Sequence, residues 1–180
     1  PARDTLMNTA ANGEPVPSAR FMGGRERELA LAGSTTQPDS DPALREGLML
    51  FPSVEPGSGP YPGRQMRWND GATRAPGPRA AAVSFYLALM TAEGLDLIGA
   101  EGPATVEGPL GRDPDYLAML SAALRRPVRG GAGSATGTSF GAALLADPTA
   151  PLPSVPPARL EERHEWRGYA ATWRAAVRRG

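Results

Sequence analysis

The 180-residue chain carries 19 basic and 19 acidic residues, and every basic residue is arginine because the sequence contains no lysine. The absence of lysine excludes a lysine Schiff base and a GK[ST] phosphate loop. The absence of cysteine excludes disulfides and thiolate metal sites, and the single histidine, His164, excludes metal sites that need two. Because the charges balance, no overall field favours nucleic acid or an anionic membrane as a partner.

The hydrophobic pattern indicates one soluble domain. The longest apolar run, Val83 to Met90, is much shorter than the roughly 20 residues that a bilayer requires. The residues after Pro1 lack the charged and apolar regions of a secretory signal. We therefore expect a cytoplasmic protein without membrane or nucleic-acid partners, folded as one domain over residues 1–180.

The first third of the chain predicts short strands and one helix. Residues 1–20 contain the turn signal Asn12-Gly13 between two pieces of strand or loop. The sequence RERELALA predicts a helix that ends at Gly33, and the polar residues 34–42 predict a loop.

A buried strand and a long loop follow. The apolar run LMLFPSV after Gly47 predicts a strand that is buried on both faces. Residues 55–78 are rich in proline and glycine, which predicts an extended loop. A loop of this length needs anchors, and we expect them to be the large apolar residues Tyr61, Met66 and Trp68.

The longest helix is predicted to begin at Pro78, which suits a first helical turn. Its apolar residues recur at helical spacing along one face: Val83, Tyr86, Leu87, Met90, Leu97 and Ile98.

From residue 104 onward, strands and helices alternate. A short strand over 104–107 precedes a helix that begins at Asp113-Pro114 and stops before Pro127. The strand RPVRG then leads through a glycine-rich segment, 130–141, into the helix GAALLA. This alternation predicts an α/β fold in which at least part of the sheet is parallel.

The end of the chain predicts a connector and an amphipathic helix. Residues 147–158 are rich in proline and predict a connector, and a final helix is expected over 159–178. Its apolar residues lie on or near one stripe: Leu160, Trp166, Tyr169, Trp173 and Val177.

Two glycine-lined turns are the candidate ligand sites. Small residues before a helix, as in 130–141, expose amides to an anion, but they also allow a helix to pack closely on a sheet. The turn over 107–113 lies at a strand end, where open α/β sheets bind ligands, but it also fits a simple turn capped by Asp113. Both pairs of alternatives stay open. His164 and the carboxylates form no acid–base pattern, so no catalytic residue is predicted.

Five segments, in order, resemble the C-terminal half of FGGY-family carbohydrate kinases, enzymes of the actin-like ATPase fold. They are GEPVPSARFMGGRE, GPYPGR, PRAAAVSFYLALMTAEGLDLIG, TVEGPLGRDPDYLAMLSAALRRPV and SATGTSFGAALLA. The resemblance implies a ribonuclease H-like lobe with a mixed sheet flanked by helices. It further implies that the phosphate loops, the sugar pocket and the catalytic Asp belong to an N-terminal lobe that this chain lacks.

The resemblance also implies the function and the binding residues. The whole enzyme would use ATP and Mg²⁺ to phosphorylate a hydroxyl of a ketose, another sugar or a polyol, and this lobe would hold adenine and ribose. The matching positions are Gly108 and Asp113 in one turn and Gly141 and Ala142 in the other. The adenosine turn also contains Pro109 and Leu110, where the family usually has small residues.

Two expectations follow from this resemblance. The chain by itself should not transfer phosphate, and its surface toward the absent lobe should expose apolar groups that favour homo-oligomers. The alternative is a binding or regulatory module that keeps the lobe but has lost nucleotide contact, because Pro109 offers no N–H to a ligand.

Overall fold

The computed structural model describes residues 3–69, 75–131, 137–149, 151 and 156–179, except for the side chains of residues 137, 138 and 140. Within these residues the helices are Gly23–Leu31 (α1), Ser40–Arg45 (α2), Pro76–Leu97 (α3), Pro114–Leu124 (α4), Gly137–Ala146 (α5) and His164–Arg179 (α6). The strands are Thr5–Thr9 (β1), Pro15–Ala19 (β2), Leu50–Phe51 (β3), Arg67–Trp68 (β4), Ala104–Val106 (β5) and Val128–Gly130 (β6).

Helix α3 is the centre of the core. Every residue from Ala80 to Met90 is buried, because α1, α2, α4, β2 and β3 all pack against this helix. The sequence predicts one apolar face, whereas the structure buries the whole circumference. By length and hydropathy alone α3 could cross a membrane, but 78% of its apolar window is buried inside the protein. Its apolar character therefore serves the packing of the core.

Helix α6 closes the core with an aromatic stripe. Trp166, Tyr169, Trp173 and Val177 are buried as predicted. Phe85 of α3 meets the rings of Trp166 and Tyr169 edge to face, with centroids 5.1 Å apart in both pairs. These contacts join the last helix to the centre of the fold.

Two polar side-chain groups of this stripe donate hydrogen bonds to the backbone at and just before β3. The Tyr169 hydroxyl donates to the Leu48 carbonyl oxygen at 2.6 Å, and Trp173 Nε1 donates to the Leu50 carbonyl oxygen at 2.7 Å. Both carbonyl groups are buried, so these side chains satisfy acceptors that water cannot reach.

The predicted start of the final helix is wrong. Helix α6 begins at His164 and not at 159. Arg159 instead forms an antiparallel bridge with Val128, with both N···O distances 2.8 Å. Leu160 consequently lies outside the helical stripe and is 39% exposed. The preceding Pro156-Pro157 pair favours extended backbone, which explains the late start.

The strands form three pairs among the described residues. Strands β5 and β6 are parallel, as the alternation of elements predicts, with α4 as the crossover between them. Strands β1 and β2 form an antiparallel hairpin around the predicted turn at Asn12-Gly13. Strand β3 is shorter than predicted and pairs with β4, which lies in the segment predicted to be loop. Helix α2 is a second departure, since the sequence predicts loop up to Pro42.

The proline-rich loop is anchored mainly by polar contacts at its start. The hydroxyl of Ser53 donates to the Tyr61 carbonyl oxygen at 2.7 Å, and the Val54 amide donates to the Tyr86 hydroxyl at 3.3 Å. Tyr86 in turn donates to the fully buried carboxyl of Glu26. Burial raises the pKa of Glu26, and the hydrogen bond from Tyr86 opposes that rise. Tyr61 and Trp68 pack against the core as expected.

Met66 does not act as the predicted third anchor, because it is 45% exposed. Cation–π contacts add to the anchoring of this region: the Trp68 ring lies 4.2 Å from the guanidinium carbon of Arg79, and the Phe51 ring lies 4.3 Å from that of Arg67.

The two buried tryptophans of α6 provide a matched test of one hydrogen bond. Trp173 Nε1 donates to Leu50, whereas Trp166 Nε1 is buried without a partner among the described residues. We expect Trp173→Phe to lower the free energy of unfolding by about 1–2 kcal/mol more than Trp166→Phe, because only the first change leaves a buried carbonyl unsatisfied. Urea unfolding of both variants measures the difference, and equal losses would contradict the assigned role of the bond.

Candidate functional site

The first predicted turn lies directly after β5. Gly108 has φ of 78°, a left-handed conformation that suits glycine. Pro109, Leu110 and the next two residues form a single 3₁₀ turn, Pro109–Arg112. Leu110 packs against the core, whereas a Cβ on Gly108 would meet no atom within 4 Å. The turn therefore presents open space at Gly108 and a partly buried side chain at Leu110.

The second predicted turn begins directly against the first. A Cβ on Gly130 would overlap the carbonyl oxygen of Gly111, and a Cβ on Gly111 would overlap the carbonyl oxygen of Val106. The Gly131 amide donates to that Val106 oxygen at 2.7 Å. Glycine is required at 111 and at 130 because backbone atoms touch at both positions. This contact joins the first turn to the end of β6, and it does not test whether the small residues before α5 let that helix pack on a sheet.

The carboxylate of Glu107 covers the second turn at Gly131, where a Cβ would overlap it. Residues 132–136 lie outside the described part of the chain, so the middle of the predicted glycine-rich segment does too. Gly141 and Ala142 are exposed on α5, and a Cβ on Gly141 would meet no atom within 4 Å. The glycine at 141 is thus not explained by packing among the described residues.

Asp113 uses its carboxylate within the protein. One oxygen accepts the Tyr116 amide at 3.1 Å and caps α4, and the other accepts the Ser84 hydroxyl of α3 at 2.6 Å. The predicted cap is confirmed. The second bond fixes the start of α4, and with it the turn, against the central helix.

A cavity of about 440 Å³ borders both turns. Its wall includes Gly111 of the first turn and Gly130 and Gly131 at the start of the second. Apolar side chains from three different elements complete much of the lining: Leu117 of α4, Val128 of β6 and Leu160. The volume and the mixed lining are those of a pocket for a small ligand.

The sequence analysis missed the third wall of this cavity, which is formed by residues 156–161. Ser121 of α4 holds this wall, because its hydroxyl oxygen accepts the Glu161 amide at 2.8 Å and lies 3.1 Å from the Arg159 carbonyl oxygen. Partial burial alone would raise the pKa of Glu161, but hydrogen bonds from Arg163 hold it below its ordinary value. The signal in the sequence was Pro156-Pro157, which excludes helix there.

Comparison with known proteins identifies the family. The model of the C-terminal domain of FGGY carbohydrate kinases matches residues 1–154. The chain belongs to the FGGY carbohydrate kinase family. Its mixed helices and small sheets have the actin-like ATPase fold of that C-terminal domain, as the sequence predicted.

Two solved structures are similar to this FGGY domain. A carbohydrate kinase from Novosphingobium aromaticivorans is 34% identical, with a TM-score of 0.83 over 99% of this chain and 40% of that one. A xylulose kinase from Rhodospirillum rubrum shares the fold at 15% identity, with a TM-score of 0.63 over 98% of this chain and 42% of that one. A comparison with curated protein sequences gave no match. The FGGY domain thus spans about two fifths of the length of these solved relatives.

Substitutions at Asp113 test the cap. We expect Asp113→Ala to lower the free energy of unfolding by about 0.5–2 kcal/mol, because it removes the acceptor for the Tyr116 amide. Asp113→Asn should cost clearly less, since its amide oxygen still accepts that bond and the Ser84 hydroxyl can accept one from its NH₂ group. Thermal and urea unfolding compare the two variants; an Asn variant as unstable as the Ala variant would mean that the charge, and not the cap, is essential.

Proposed function

We propose that residues 1–180 form the nucleotide-holding lobe of an ATP-dependent carbohydrate kinase. The observation that carries this proposal is the 440 Å³ cavity. Its wall includes Gly111, in the turn that resembles the family's adenosine turn, and Gly130 and Gly131, which precede the segment that resembles the family's closing segment. The catalytic Asp and the sugar pocket would come from an N-terminal lobe. That division agrees with the 40% coverage of the Novosphingobium kinase.

In this proposal the base of the nucleotide lies in the cavity against apolar side chains. Leu117 and Val128 would contact the faces of the base, and the open backbone at Gly108 would approach the ribose. Gly141 and Ala142, exposed at α5, would lie beside the sugar or the phosphates. Asp113 would act as a positioning residue, because both of its oxygens bind within the chain.

The chemistry assigned to this lobe is binding and orientation. ATP supplies the phosphoryl group, and the reaction transfers it to a sugar or polyol hydroxyl that loses its proton to a base. The described residues bring no three His, Asp or Glu side chains close enough to hold a metal ion. We therefore assign no residue of this lobe to Mg²⁺ and derive no step through the metal here.

A non-catalytic module is the second candidate function, and three observations favour it. Pro109 lacks the N–H that a second glycine would offer in the turn, and the partly buried side chain of Leu110 packs against the core. The carboxylate of Glu107 also covers Gly131 and would repel a phosphate placed there. Nucleotide binding separates this candidate from the first.

A cavity-filling substitution tests the nucleotide site. Ala118 of α4 lines the cavity, whereas Ala171 of α6 is exposed and lies elsewhere. We expect the unmodified chain to bind ADP saturably, and Ala118→Leu to weaken that binding at least about tenfold because the larger side chain occupies the space of the base. Ala171→Leu is the matched control and should leave the affinity unchanged. Isothermal titration measures all three proteins.

If the unmodified chain shows no ADP binding, the non-catalytic module is correct. If Ala118→Leu and Ala171→Leu bind ADP equally well, the nucleotide lies outside this cavity and the assignment is wrong.

The isolated lobe is expected to lack kinase activity. The isolated 180-residue chain should show no ATP- and sugar-dependent phosphorylation, because another lobe would supply the catalytic Asp, which accepts the hydroxyl proton, and the sugar pocket. A coupled assay for ADP release over a panel of ketoses and polyols measures this. Turnover above the rate without sugar would show that the chain is a complete kinase.

A further inference from the structure

A second cavity of about 540 Å³ is open to solvent and lies away from the glycine turns. Three segments that are distant in the sequence meet there: the residues before β1, the proline-rich loop and the end of α6. Each contributes one arginine to the lining, namely Arg3, Arg64 and Arg178. None of the lining residues belongs to the 440 Å³ cavity.

The lining carries an excess of positive charge. Glu93 of α3 is its one carboxylate, and that group is already satisfied. Arg174 donates to one of its oxygens at 2.7 Å, and the Tyr61 hydroxyl donates to the other at 2.6 Å. Among the described residues, no carboxylate forms an ion pair with any of the three lining arginines.

Two of the three guanidinium groups are held in place. Arg3 Nε donates to the Pro60 carbonyl oxygen at 3.0 Å, and its guanidinium carbon lies 5.5 Å from the centre of the Tyr61 ring. An Arg64 terminal nitrogen donates to the Val177 carbonyl oxygen at 2.6 Å, and its guanidinium carbon lies 5.1 Å from the same ring. Each group keeps most of its five N–H donors for another acceptor.

The ring between these two arginines is itself fixed. Tyr61 bonds to Glu93 through its hydroxyl and meets the buried Trp173 edge to face, with centroids 6.3 Å apart. The guanidinium groups of Arg3 and Arg64 are therefore ordered before a ligand binds. Binding consequently carries little entropic cost for fixing these two side chains.

We propose that this cavity binds the phosphate group of a small anion. Guanidinium groups match the oxygens of phosphate with two parallel hydrogen bonds. Three arginines without an ion-paired carboxylate among the described residues, two of them held in place, favour a dianion over a monoanion. The phosphate can be free or carried as a monoester. This site is independent of the proposed nucleotide site, because its walls belong to other elements.

Arg178 offers the sharpest test, because it is exposed at the end of α6 and its removal leaves the core intact. Arg179 is the matched control: it follows Arg178 on the same helix, is also exposed, and does not line the cavity. We expect inorganic phosphate to bind the unmodified chain saturably at constant ionic strength. Arg178→Gln should weaken this binding about tenfold, and Arg179→Gln by less than about twofold.

Titrations followed by NMR and calorimetry supply the measurement, with circular dichroism as the check of folding. Arg64→Gln should weaken phosphate about as much as Arg178→Gln, and if it fails to fold, the Arg178 and Arg179 variants decide alone. Methyl phosphate in place of inorganic phosphate separates a monoester ligand from the free ion, since the tighter binder identifies the source. Ala118→Leu should bind phosphate like the unmodified chain, which keeps this result distinct from that of the nucleotide site.

Equal affinities in the Arg178→Gln and Arg179→Gln variants would overturn the proposal, because binding would then follow overall charge. Absence of saturable binding to the unmodified chain would overturn it as well. An interaction weakened equally by sodium chloride and by sodium phosphate would show screening alone, with the same consequence.

Discussion

The burial of α3 on every side between Ala80 and Met90 is the constraint on which the other elements depend. A helix that is apolar around its whole circumference has to be covered on every side. Neighbouring helices and short strands cover most of α3. The aromatic stripe of α6 completes the cover, with the ring centroids of Trp166 and Tyr169 each 5.1 Å from that of Phe85 on α3. Because Tyr169 and Trp173 also satisfy buried carbonyls of Leu48 and Leu50, the same helix fixes the strand segment from which the long loop departs.

Close backbone contact sets the shape of the candidate nucleotide site. Gly111 and Gly130 let the first turn touch the end of β6, and this contact brings Gly111 and β6 to one cavity. The same residue type thus has two different uses within a short stretch of chain. Gly111 and Gly130 are explained by backbone contact and Gly108 by its positive φ of 78°, whereas Gly141 faces open space among the described residues.

Because the sequence has no lysine, arginine supplies all of the permanently positive side chains of this protein. The structure uses it in two ways. Arg174 neutralises Glu93 and also binds Asp96 at 2.7 Å, which is a structural ion-pair network on α3. Arg3 and Arg64 instead stack on Tyr61 without a carboxylate partner among the described residues, and this difference separates a structural cation from a candidate ligand group.

The sequence by itself determined the features that depend on local chemistry and on its resemblance to a family. The Asp113 cap and the parallel pair within an α/β alternation could be predicted because turn, cap and periodicity signals act over a few residues. The FGGY fold class followed from the resemblance of five segments to that family. Tertiary structure alone decided the bridge of Arg159 to Val128, the exposure of Met66 and the meeting of Arg3 with Arg64. These depend on contacts between residues far apart in the chain, whose pairing no local pattern encodes.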